Sequence, residues 1–208
     1  MSQVKVISLD AEGTLVTPDF SHTVWHEAIP ALYAQRYGIE LSRAKEVVTA
    51  EYDKIGECRL EWYDIGYWLD YFDLGPSEPL IQRCQNKSCC YPEVREVLSS
   101  LAVRYSLIVS SGTPEELLLP QLEDISSYFA RIFSSTSHCG QLKNPDFYLY
   151  VCDAMHVELN ELVHVGDNWQ FDFVNPRKVG IRAFHLDRSG NSRESLVDLT
   201  QLEPYLLA

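Results

Sequence analysis

Val4-Lys5-Val6-Ile7-Ser8-Leu9 is a short, nearly continuous apolar run that ends in Asp10-Ala11-Glu12-Gly13-Thr14. A run of this length, closed by a glycine turn, predicts a strand buried on both faces. Four similar runs follow: Ser106-Leu107-Ile108-Val109, Arg131-Ile132-Phe133, Leu162-Val163-His164-Val165 and Arg182-Ala183-Phe184-His185-Leu186. Helical stretches separate them, from Glu93 to Tyr105, Pro114 to Phe129 with Pro120 inside it, Phe147 to Met155, and Phe171 to Val179. This alternation predicts an α/β fold: a parallel sheet covered by helices on both sides, with ligands bound beyond the carboxyl ends of the strands.

One stretch interrupts the pattern. From Pro18 to Lys87 the period is helical and no strand stands out, with helices expected over Thr23 to Tyr37, Arg43 to Ile55 and Glu61 to Phe72, separated by Gly38, Gly56 and Gly75. The expected organisation is an α/β core of residues 1–17 and 88–208 and an inserted helical domain of residues 18–87, which leaves the core straight after the first strand and so is expected to act as a lid.

The 208 residues are 46% hydrophobic and carry a formal net charge of −13, enough apolar content for a large core and the wrong sign for nucleic acid or an anionic membrane. An acidic surface also repels anionic substrates, so a phosphorylated ligand needs a local cation and its own donors. There is no run of 18 apolar residues, and the N-terminus passes directly into the first strand, from which a cytoplasmic location is expected. The six cysteines include no C-x-x-C pair and read as idle or buried thiols.

Each strand end carries chemistry. Asp10 and Glu12 follow the first strand, Ser110-Ser111-Gly112-Thr113 the second, Lys143 lies between the third and fourth, and Gly166-Asp167 follows the fourth with Asp172 five residues on. Hard carboxylate oxygens without a nitrogen or sulfur set favour Mg²⁺, which bridges protein carboxylates to a substrate phosphate. With that charge neutralised, a carboxylate can attack phosphorus, and Asp10 is the natural attacker. Taken singly, each segment has a plainer reading as a turn, a helix cap or a surface lysine; their shared placement on one sheet edge does not.

These four motifs, in this order, resemble those of the haloacid dehalogenase superfamily, whose core is Rossmann-like. The resemblance implies that Asp10 is the nucleophile and a magnesium ligand together with the carbonyl of Glu12. It further implies that Ser110, at the head of Ser110-Ser111-Gly112, and Lys143 bind phosphate, that Asp167 is a direct metal ligand, and that Asp172 is its outer acidic partner. The helical insert resembles the cap of the subgroup containing phosphoglycolate phosphatases and haloacid dehalogenases. The function implied is Mg²⁺-dependent hydrolysis of a small-molecule phosphomonoester through an aspartyl phosphate, with Glu12 as general acid and base.

Two departures stand out. Phosphatases of the family normally carry Asp at position 12, and Glu reaches about one bond further. Since general acid–base catalysis supplies about 10²–10⁴-fold in rate, a misplaced Glu12 points to an alternative, a protein that binds a phosphorylated ligand or partner with little turnover. Lys143 is followed by Asn144 before Pro145, where the family more often has Lys-Pro. A further alternative, 2-haloacid dehalogenation, is opposed by Glu12 and by the Asp167/Asp172 pair. His22 and His26 read as surface histidines without a third ligand and His164 as a hydrogen-bonded core residue. The stripe Trp62, Ile65, Leu69, Phe72 reads as core of the insert or as a dimer or substrate surface.

Overall fold

A computed structural model describes residues 3–192 and 194–206; residues 1, 2, 193, 207 and 208, which the expected core includes, lie outside the described residues. Five strands, β1 (Val6–Leu9), β2 (Ser106–Ser111), β3 (Arg131–Ser134), β4 (Leu162–Gly166) and β5 (Arg182–His185), form one all-parallel sheet in the order β3-β2-β1-β4-β5. All four residues of β1 are buried, because it is the central strand and is covered on both faces.

Side chains alternate across a strand. Ile7 and Leu9, with Leu107, Val109, Val163 and Val165, pack in one apolar layer with Val94, Leu98 and Leu101 of the helix Val94–Leu101. Val6, Ile108, Phe133 and Leu162 belong to the opposite layer, with Phe147, Tyr148 and Val151 of the helix Pro145–Met155. The same parity sends Ser8 and then Asp10 to the second face, so the position of the aspartate is set by the strand that precedes it.

The chain divides into two compact units, Met1–Thr17 with Cys90–Ala208, and Pro18–Cys89. Among its described residues the second unit contains no strand and five α-helices, the longest being Leu41–Ile55, which buries Ala44, Val48 and Tyr52 at a spacing of four. Its aromatic side chains interlock: the Tyr52 and Trp68 rings meet edge to face at 4.6 Å and Trp68 stacks on Phe72 at 5.6 Å.

Several boundaries differ from expectation. The helix expected from Glu61 is a 3₁₀ turn, Leu60–Trp62, followed by the helix Ile65–Tyr71, because Asp64 caps the latter by accepting from the Tyr67 N–H at 2.9 Å. Ile65, Leu69 and Phe72 of the stripe are buried and Trp62, outside that helix, is half-buried. The stretch from Pro114 divides into the helix Glu115–Leu122 and a 3₁₀ segment, Glu123–Tyr128. His22 and His26 are exposed, with ring centroids 5.2 Å apart, and all six cysteines are free. No helix among the described residues is long and apolar enough to cross a membrane.

Candidate active site

Asp10 continues the β1 ladder by one residue, its N–H donating to the Val165 carbonyl at 2.9 Å. The chain then turns sharply: the Ala11 carbonyl accepts from Leu15 N–H at 2.7 Å and from Val16 N–H at 3.0 Å. Gly13, at φ +76°, makes this turn possible, and a Cβ there would fall 2.1 Å from Asp167 Oδ2. Gly166 answers from the other side, since a Cβ on it would fall 2.4 Å from Asp172 Cγ. The two glycines are the clearance through which the carboxylates approach.

Lys143 arrives from the loop before the helix Pro145–Met155. Asn144, the residue between Lys143 and Pro145, is the cap of that helix and accepts from the Phe147 N–H at 3.0 Å, while Pro145 takes the first turn, where no N–H is needed. The additional residue therefore serves the cap and leaves the lysine buried, its Nζ 2.6 Å from Asp10 Oδ1 and in contact with Asp172 Oδ1. The Lys143 carbonyl accepts from Asn175 Nδ2 at 2.7 Å.

Asp172 stands in a wide π-helical turn, Trp169–Val174, whose start is capped by the Asn168 side chain accepting from the N–H groups of Gln170 and Phe171. Its Oδ2 accepts from the Asn168 N–H at 2.9 Å and its Oδ1 from His164 Nε2 at 3.0 Å. Asp10, Asp167 and Asp172 each offer an oxygen within 4.8 Å of the others.

The charges are unequally served. Burial pulls the Asp172 carboxyl upward, but Lys143 and His164 overcome it and hold it below the usual carboxylate range. Burial pushes Asp10 up to about 6 against the pull of Lys143. Asp167 is open to solvent on one side, yet the protein packed around it, and then Asp10 and Asp172, push it up to about 7. Burial opposes the charge of Lys143, and the two carboxylates beside it raise its pKa all the same. Three carboxylates against one ammonium leave two negative charges when all are ionised, and a small divalent cation with a preference for oxygen matches both that charge and that donor set.

Ser110 is fully buried on the same sheet face as Asp10, with its Oγ 2.8 Å from that of Ser8. Ser111 is buried too, and its Oγ accepts from Thr113 N–H at 3.3 Å in a local turn. Gly112 lies against the Lys143 stem, 3.6 Å separating a Cβ built there from Lys143 Cδ. Glu12 is half-buried, bridges Val16 through its backbone, and is outside the carboxylate trio.

Two contributions were not legible in the sequence. Arg188 donates to the carbonyls of Gly13 at 3.0 Å and Thr14 at 2.6 Å, pairs with Glu93 at 2.8 Å, and lies over the Tyr91 ring, clamping the first loop from the far end of the chain. Ser8 links Ser110 to His164, which is buried and hydrogen-bonded as expected but also reaches Asp172. Strand parity was the available signal for Ser8: a polar residue two before Asp10 must face the same side.

A parallel α/β sheet with an acidic trio and a buried lysine at its carboxyl edge defines a hydrolase class, and the sequence agrees. Residues 4–173 match the haloacid dehalogenase-like hydrolases, and the chain belongs to that family. None of the curated proteins matches the sequence. Among solved structures, a HAD phosphatase from Thermococcus onnurineus is 24% identical, with 98% of each chain covered and a TM-score of 0.85. A 2-haloacid dehalogenase from Pseudomonas syringae pv. Tomato DC3000 is 19% identical, with 99% of this chain and 98% of that one covered and a TM-score of 0.68. The Bacillus subtilis protein YfnB, bound to magnesium, is 16% identical with full coverage of both chains and a TM-score of 0.69. At these identities the likeness is one of fold.

Proposed function

We propose that this hydrolase cleaves small-molecule phosphomonoesters with the aid of Mg²⁺, through an aspartyl phosphate on Asp10. The observation that carries the reading is the trio Asp10, Asp167 and Asp172, two of which pair with Lys143, with two negative charges left for a divalent cation to offset. Asp10 and Asp167, with the Glu12 carbonyl, would hold the metal and Asp172 would stand behind it; when bound, Mg²⁺ would neutralise phosphoryl charge. The similarity to a HAD phosphatase and to a magnesium-bound protein is in keeping with this.

The Asp10 carboxylate attacks phosphorus and the ester oxygen leaves, taking a proton from Glu12. Glu12 then removes a proton from water, which attacks the aspartyl phosphate; the P–O bond to Asp10 breaks and phosphate leaves. Lys143, the Ser110 hydroxyl and the backbone of Ser111 and Gly112 bind the phosphoryl oxygens and offset the charge that develops on them. Residues 18–87 act as the cap that excludes bulk water and selects the substrate.

The test is Mg²⁺-dependent hydrolysis of a phosphate-ester panel, para-nitrophenyl phosphate included, by wild type, Asp10→Asn and Glu12→Asp. Asp10→Asn is expected to lose at least about 10³-fold in kcat. Equal turnover by wild type and Asp10→Asn removes Asp10 as nucleophile. Phosphate binding without turnover, restored by Glu12→Asp, makes the natural chain a binding protein with a weakened site.

A further inference from the structure

Beneath the carboxylate trio runs a chain of polar side chains through an otherwise apolar sheet face: Ser110, Ser8, His164 and Asp172, all fully or almost fully buried. Register brings them together. Ser8 is paired with His164 on β4 and lies diagonally from Ser110 on β2, two positions beyond its partner Ile108. Ser8 Oγ is 2.8 Å from Ser110 Oγ and 2.8 Å from His164 Nδ1, and His164 Nε2 is 3.0 Å from Asp172 Oδ1. Each link is within ordinary hydrogen-bond length, and the sequence separations exclude a local turn as their cause.

We propose that Ser8 and His164 are positioning residues that couple the phosphate-binding hydroxyl of Ser110 to the metal-side carboxylate of Asp172 through one buried hydrogen-bond chain. The inference rests on the phosphohydrolase reading of the site above. Its physical ground is donor accounting. Asp172 accepts from the Asn168 N–H and pairs with the Lys143 ammonium, so as a carboxylate it only accepts, and His164 Nε2 carries a hydrogen and donates to it. Ser8 has a single hydrogen and two ring or hydroxyl partners, so it donates to one and accepts from the other. The orientation of the Ser110 hydroxyl and the hydrogen on the His164 ring are therefore set jointly.

A hydrophobic sheet face would be served equally well by alanine and valine at positions 8 and 164, as it is by Val6 and Leu162 two residues earlier in the same layer. Burying a histidine and two hydroxyls instead places polar groups where any unpaired one costs about 1–3 kcal/mol. The chain has a partner for every link, and both of its ends reach groups assigned to the reaction. Side chains in this supporting role behind a metal site typically change affinity or activity by about 10–100-fold when removed.

The test follows the histidine ring itself. Protein labelled with ¹⁵N-histidine is titrated first with Mg²⁺ and then with inorganic phosphate, the His164 resonances being assigned with His164→Gln. Wild type is expected to move the His164 signals at both steps. Ser8→Ala, which cuts the chain between Ser110 and His164, is expected to keep the Mg²⁺ response and lose the phosphate response, with the inhibition constant of phosphate weakened about 3–10-fold. Ser8→Thr, which keeps the hydroxyl, is expected to restore both, and His164→Gln to weaken half-saturation by Mg²⁺ by about 10-fold or more. If phosphate binds wild type without moving the His164 signals, or if Ser8→Ala responds as wild type does, the coupling is overturned while the phosphohydrolase reading stands. If wild type neither binds phosphate nor turns over esters, that reading falls and the inference with it.

Discussion

The two units bury different kinds of side chain. Every polar or charged residue that is buried among the described ones lies in the α/β unit, from Ser8 and Asp10 through Lys143 and His164 to Asp172 and Asn175. Pro18–Cys89 buries instead an apolar and aromatic set, with Tyr52, Trp68 and Phe72 at its centre. A buried charge is tolerated only with a partner, and the sheet edge supplies partners from several strand ends at once, which a set of helices packed through apolar stripes does not. The difference teaches where the chemistry can be: in the unit that pairs the charges it buries.

Removing the shared cation should disturb that arrangement most. Lys143→Met leaves two carboxylates facing one another, and kcat on a phosphate ester is expected to fall about 10²–10³-fold. If turnover survives with only a small loss, Lys143 is a structural counter-ion and the chemistry of the α/β unit is misplaced.

Gly166→Ala should come next. The added Cβ overlaps Asp172 at 2.4 Å, so the acid must shift, with an expected loss of about 1–3 kcal/mol of stability and a melting temperature lower by about 2–4 °C for each kcal/mol. A thermal melt and a Mg²⁺ titration check it together, and an unchanged Mg²⁺ midpoint would separate the position of Asp172 from metal binding.

The metal-free protein should also feel the crowding of its acids. Asp10 and Asp167 hold protons in the fold up to about 6 and about 7, above their ordinary 3.8, so their contribution to stability is present at low pH and is lost as pH rises through that window. Asp172, held low, contributes a constant amount above the ordinary carboxylate range, and His164, kept neutral by burial, acts in the opposite sense below 6.5. The clean measure is the difference that Mg²⁺ makes: its stabilisation of the melt should be larger at pH 8 than at pH 5, because protons compete for the same oxygens. An equal shift at both pH values would count against Asp10 and Asp167 as ligands.

The smallest effect is expected in the helical unit. Tyr52→Phe removes a hydrogen bond of 3.3 Å to the Trp25 carbonyl and keeps the ring contacts, so about 1 kcal/mol of stability should be lost with kcat unchanged. A change in kcat from this substitution would mean that the helical unit takes part in the chemistry.

Much of this was legible beforehand. The five strands are short apolar runs bounded by polar residues, and their reading needs no knowledge of distant neighbours. The residue between Lys143 and Pro145 departs from the family's usual Lys-Pro, and only the cap made by Asn144 explains how it is accommodated with the lysine buried against Asp10. The break within Glu61 to Phe72 is set by the Asp64 cap, through which apolar periodicity runs without marking it. Arg188 had no local signal, since a lone arginine in a polar loop says nothing about a carbonyl some 175 positions earlier.

The sequence by itself determined the fold class, the strand ends and the identity of the acids and the lysine, because side-chain period and residue type are local properties. Only the tertiary structure decided which of these groups meet. Parallel register sets Ser8 between Ser110 and His164, and two glycines let Asp167 and Asp172 approach to distances that a single Cβ would forbid. The physical reason is that the energies of a buried charge and a buried hydrogen bond depend on neighbours in space, and those neighbours come from strands far apart along the chain.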